Sequence, residues 1–150
     1  MSFFRLIFFV AALACSVAWA DSKTPPISLE VVAREGVLHM RLTNTSDRRI
    51  SIYKGSLPWA HGILGIHLDA FAGYHAPREL EQIMIPAHDY NVIELEPQQS
   101  IDGSKKLATF FPEFATYFKK EPIMIFWRHR PVTEEPPDLP MLHGLVVLLP

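Results

Sequence analysis

The sequence predicts an all-β protein, an immunoglobulin-like antiparallel β-sandwich of about 7–8 strands with one short helix. Three observations carry this. Apolar and polar residues alternate in short runs more often than they recur at helical spacing. Clusters of Gly, Asn, Asp, Ser and Pro separate those runs at fairly regular intervals. A 150-residue chain is long enough for one domain and too short for two.

Residues 1–20 are expected to be a secretory signal peptide. Arg5 supplies positive charge, Leu6 to Ala14 an apolar stretch, and Ala18-Trp19-Ala20 the small residues that a signal peptidase reads. The stretch is shorter than the roughly 20 apolar residues of a spanning helix, and Asp21-Ser22-Lys23 follows it directly. Cleavage is expected before Asp21, which leaves one domain over residues 21–150 with no stable membrane insertion. Leu13 stands two residues before Cys15, whereas a lipobox wants it three before, so Cys15 reads as part of the apolar stretch.

Strand signals then follow in order. Ile27, Leu29 and Val31 share one face of a first strand, and Leu38, Met40 and Leu42 share one face of a second. Arg34-Glu35-Gly36 between them reads as a hairpin turn, with Gly36 free to take positive φ. Asn44 to Arg48 is a second turn, because Asn, Ser and Asp side chains bond their own backbone there. Ile50 and Ile52 begin a third strand. Leu64, Ile66 and Leu68 mark a fourth, with Gly65, His67 and Asp69 on its other face. Residues 70–80 read as irregular. Ile83 and Ile85 mark a fifth strand ended by Pro86, and Val92, Ile93 and Leu95 a sixth, closed by a turn at Pro97-Gln98-Gln99-Ser100.

Phe110, Phe111, Phe114, Tyr117 and Phe118 stack on one face of a short helix, with Pro112 in its first turn. Ile123 to Trp127 and Leu145 to Leu149 are apolar on both faces, the pattern of central strands covered on both sides. The segment from Pro131 to Pro140 between them is a proline-stiffened loop.

Composition narrows the function classes. Without Arg5, 13 basic residues face 16 acidic ones, so no nucleic-acid partner is expected. The chain has one Cys, Cys15, inside the expected signal peptide. The remaining domain therefore has no disulfide, thiol catalyst or thiolate metal site. A cysteine-free exported domain fits a bacterial periplasm or exterior.

No catalytic motif is present: the nucleophile elbow, H-E-x-x-H, P-loop and dinucleotide fingerprint are all missing. Gly103-Ser104-Lys105 reads as a solvated turn rather than a Ser–Lys dyad, and Glu94 and Glu96 as an exposed strand face. The protein is expected not to be an enzyme and to use no cofactor. Seven histidines raise an alternative, a His-based zinc- or copper-binding periplasmic protein. Its best pair is His67 and Asp69, with His61 and His75 in the flanking loops.

The most partner-like stretch is Trp127, Arg128, His129 and Arg130, since Trp and Arg are enriched in interface hot spots. It leads into the loop that carries Glu134, Glu135 and Asp138. The competing reading pairs the two arginines with those three carboxylates. The expected function is an exported non-catalytic binding or accessory protein that contacts a protein partner through its loops, with an inhibitor or immunity-type role as its specific form.

Overall fold

Alternation near the start of the domain produces the hairpin it predicts. In the computed structural model, which describes residues 25–150 apart from 84, 87, 88 and 137, β1 (Ile27–Arg34) and β2 (Val37–Asn44) pair antiparallel from Ile27↔Asn44 to Arg34↔Val37. Glu35 and Gly36 both take positive φ, 49° and 76°, as a tight hairpin turn requires. The expected signal peptide, residues 1–20, lies outside the described residues.

β2 pairs on its other side with β7 (Ser100–Lys106), giving a three-stranded antiparallel sheet in the order β1-β2-β7. β3 (Ile50–Tyr53) and β6 (Val92–Leu95) form a two-stranded sheet. β4 (His67–Ala72), β5 (Arg78–Glu79), β8 (Ile123–His129) and β9 (Leu142–Leu148) form a four-stranded antiparallel sheet in the order β5-β4-β8-β9. Two short helices, α1 (Leu107–Phe110) and α2 (Phe114–Phe118), follow β7.

The inner faces of the three- and four-stranded sheets share one core. Leu38 and Met40 from β2 pack with Leu68 and Ala70 from β4, Ile123, Ile125 and Trp127 from β8, Phe110 and Phe114 from the helices and Phe111 from between them. A second cluster joins Ile27 and Leu42 to Ile50, Ile52, Leu57, Leu95 and Leu139. Each fully buried Leu, Ile or Phe side chain here contributes about 1.5–3 kcal/mol against exposure.

The Asn44 turn forms as expected and is tied from two directions. Asn44 Nδ2 donates to the carbonyls of Arg48 (2.8 Å), Leu95 (2.9 Å) and Glu96 (3.1 Å), while its Oδ1 accepts from Ser46 N and Oγ. One fully buried amide thus holds this turn against the Glu96–Gln99 turn that feeds β7.

Five expectations are corrected. The fourth strand is shifted: β4 starts after Leu64 and Ile66 and runs to Ala72, into the 70–80 stretch read as irregular, which also holds β5. Residues 103–105 are not a solvated turn but the end of β7, whose few apolar residues hid it. The single helix is two: Phe111 is extended (φ −124°, ψ 96°), because the residue before a proline is pushed out of the α region. Among the described residues no strand takes in Ile83 or Ile85; Ile83 N donates instead to Phe110 O (2.8 Å), and the rung beside β4 is taken by Arg78–Glu79. Finally, Phe126, Leu145 and Val147 are 45%, 50% and 42% exposed, so β8 and β9 are covered on one face and not on both. β9 is an edge.

Candidate functional site

β4, β8 and β9 turn three rows of side chains outward, set by their register. Phe71, Met124 and Val147 form one row, Asp69, Phe126 and Leu145 the next, and His67, Arg128 and His143 the third. The Phe71 and Phe126 rings meet edge to face, with centroids 5.9 Å apart. A shallow depression of about 420 Å³ lies over Phe126, Leu145, Asp69 and His143. The face therefore runs from apolar to basic along the strands.

The strand pleat divides the Trp127–Arg130 stretch. Arg128 and Arg130 are exposed, whereas Trp127 is buried in the core and His129 is 2% exposed. The Trp127 indole lies against Gly144, where an added Cβ would come within 2.5 Å of the ring. A partner at this surface meets the two arginines first, while Trp127 and His129 contribute only to the floors of the two depressions there. Among the described residues neither arginine has an ion pair, so the competing reading, in which they pair with Glu134, Glu135 and Asp138, does not hold.

The loop accounts for that separation. Tyr53 N donates to Val132 O (3.1 Å), Val132 N to Ser56 Oγ (3.0 Å) and Glu134 N to Ser51 O (3.1 Å). Thr133 makes a bridge with Ile52, and Leu139 is buried in the second cluster. These bonds lay the segment along β3. Glu134, Glu135 and Asp138 remain exposed, and Glu135 shares a depression with Arg48 and Arg49.

The basic end carries further groups that sequence reasoning missed. Ile63, Leu64 and Met141 are exposed around a depression of about 230 Å³ that His67, Arg128 and Arg130 also line. Lys105 is buried at 4% exposure; its Nζ donates to Ala60 O (2.8 Å) and lies 4.2 Å from the Phe110 ring centroid. Burial pushes the Lys105 amine down to about 8. Burial, with a smaller contribution from Lys105, pushes His129 down to about 4; the Gly65 backbone offsets part of this. Neither His129 ring nitrogen has a well-aligned hydrogen-bond partner among the described residues. Two interior bases thus lie beneath the 60–65 loop.

His67 Nε2 and Asp69 Oδ1 come together at 3.0 Å. His61 stacks on Phe110 and His75 is exposed. Among the described residues no group of three or more His, Cys, Asp or Glu side chains is placed to hold a metal ion. Ser104 and Lys105 alternate to opposite faces of β7, so they form no dyad. Arg49 bridges Glu94 (2.9 Å) and Glu96 (2.8 Å). These are surface ion pairs.

Over the described residues the chain is thus β-rich, with antiparallel sheets and two short helices. No protein-family model matches it, and no curated protein matches it either.

Proposed function

We propose that this is an exported, non-catalytic binding protein of a bacterial periplasm or exterior, an immunoglobulin-like sandwich that docks a protein partner. The docking surface is the outer face of β4–β8–β9 and its basic end. The reading rests on one observation: Phe126, Leu145 and Val147 form an exposed apolar patch beside two arginines that lack ion partners among the described residues. Soluble domains rarely leave such patches open unless something covers them. The complementary partner presents an apolar surface with carboxylates at one side. Arg128, Arg130 and His143 would then steer encounter while the apolar rows supply affinity. An inhibitor or immunity-type role is the specific form that suits a preformed rigid face.

A photo-crosslinking residue at position 126, with one at Lys106 on β7 as control, tests this in an envelope extract. Adducts from 126 that vanish on Arg128→Glu/Arg130→Glu support the reading; equal labelling from both positions overturns it.

The second reading, a zinc or copper site, is favoured by the 3.0 Å approach of His67 and Asp69. Calorimetry with micromolar zinc on the wild type and His67→Ala tests it. Equal heats in both would remove it.

A further inference from the structure

We propose that the cavity beneath the 61–66 loop binds a small carboxylate-type anion, with Lys105 as its cationic anchor. Register places Lys105 opposite Leu38 on the inner face of the three-stranded sheet, in line with Ile101 and Gly103. An apolar side chain is the ordinary occupant of such a position. Instead the ammonium is buried with one oxygen acceptor, Ala60 O, and one ring face, Phe110. No carboxylate pairs with it among the described residues. A buried cation without a counter-charge is strongly disfavoured, and an apolar residue of similar volume usually serves packing better. An anion beside the amine would supply that counter-charge.

The cavity beside the amine has the size and lining for one. It measures about 30 Å³ and is bordered by Lys105, His61, His67 and Gln82, with Ile66 and Phe110 as apolar walls. At roughly 10–15 Å³ for each water-sized occupant, it admits a head of two or three heavy atoms, and its open side lets the rest of a larger carboxylate project to solvent. Ammonium, imidazole and carboxamide all supply N–H donors, which matches a carboxylate head. Asp69 does not line the cavity, and its carboxylate is engaged by His67. Gly65 sets the loop: its N donates to Gly62 O (3.0 Å), and an added Cβ would lie 2.5 Å from Ala60 O. The close approach holds the carbonyl that positions Lys105.

Water alone is the competing occupant, and it would leave the amine's titration insensitive to added carboxylate. Two sources share the proposed chemistry, a free anion such as formate and a carboxylate side chain of a partner. Neither depends on the outer-face docking surface.

The test uses the full chain with ¹⁵N-labelled lysine, following Lys105 Nζ by NMR while formate is added at constant ionic strength. An anion in contact raises the amine's proton affinity above its buried value near 8. Saturable binding with about a tenfold rise in that affinity is the expected result. Thermal stabilisation by formate is lost in Lys105→Met and kept in Phe126→Ser, which separates this site from the docking face. An Asp-containing tetrapeptide that displaces formate identifies the partner-side source, while failure to displace it identifies the free anion. An unchanged Lys105 titration overturns the proposal. Equal stabilisation of the wild type and Lys105→Met means an adventitious ion only, and also overturns it.

Discussion

β7 and β9 are both sheet edges, and they divide polar and apolar residues in opposite ways. On β7 the outward residues Ser100, Asp102, Ser104 and Lys106 are all exposed and polar, and Asp102 meets Arg41 at 2.8 Å across the strand pair. Inside, however, β7 carries Lys105. On β9 the inward residues Leu142, Gly144, Val146 and Leu148 are apolar or small, as a core requires, yet Leu145 and Val147 outside are apolar too. Charged edges discourage pairing with other chains, and an uncharged apolar edge invites it. Each strand thus breaks the inside–outside rule, β7 at Lys105 and β9 at Leu145 and Val147, and each exception falls at a site with a functional reading. The two edges also share a device: Gly103 and Gly144 each leave room for a tryptophan, Trp59 and Trp127, to lie on the strand.

The largest expected effect lies under β9. Trp127 is 9% exposed and packs on Gly144, so Trp127→Ala should cost about 3–5 kcal/mol in urea denaturation. A loss below about 1 kcal/mol would place the indole outside the core energetically and would dissolve the contrast between the inner and outer faces of β8.

Next comes the interior His129. Its folded-state value of about 4 lies below the ordinary 6.5. Above 6.5 both folded and unfolded states hold it neutral. Between 6.5 and 4 the unfolded chain takes up a proton that the fold excludes, so stability falls as pH falls through that window. The loss should approach about 3 kcal/mol at pH 4 at 1.36 kcal/mol per unit. His129→Leu should flatten that part of the pH profile; an unaltered slope in the variant would show that His129 is accessible to solvent protons.

Most of the fold is legible in the sequence where one face is buried and the other wet. The β1–β2 hairpin, the Asn44 turn, β3 and β6 all stand close to where alternation puts them. β7 was hidden because its inward positions hold Ile101, Gly103 and Lys105, which write no apolar alternation. It is held by pairing to β2 and by Trp59 instead. The apolar runs of β8 and β9 are legible as strands, but two-faced apolarity signals a covered strand and an open docking face equally well. Arg128 and Arg130 were visible as partner-like residues. That the pleat would bury Trp127 and His129 beside them follows from period-two geometry, once Ile123 and Ile125 are assigned inward. Lys105 carries no local signal, since a Lys-Lys pair in a polar run reads as surface.

Asn44 tests how a strand as polar as β7 keeps its register. Asn44→Ala removes a donor from three carbonyls, of which Arg48 O keeps Ser46 Oγ and Glu96 O keeps Gln99 N, and should cost about 1–2 kcal/mol, chiefly through the buried Leu95 carbonyl. Amide exchange should speed at Ser100 to Lys106 before it does in β8. Uniform acceleration across both sheets would mean that the turn does not act on β7 in particular.

The smallest expected effect on stability is the most informative about function. Leu145 and Val147 face outward from β9; threonine is isosteric with Val147, smaller than Leu145, and keeps the strand preference at both. If the apolar rows exist for the fold, Leu145→Thr/Val147→Thr should destabilise the protein, because rows of the sheet would lose packing that the core needs. If they exist for a partner, the variant should stay within about 0.5 kcal/mol of the wild type and resist self-association better, while losing the adducts formed from position 126. The matching change on β7, Ser104→Val, should be equally quiet in stability and should create no capture at all. The two edges would then differ only in what they recruit. A destabilisation of about 2 kcal/mol or more in the β9 variant exceeds what exposed positions normally give. It would assign Leu145 and Val147 to the fold and withdraw the chief support for the docking surface.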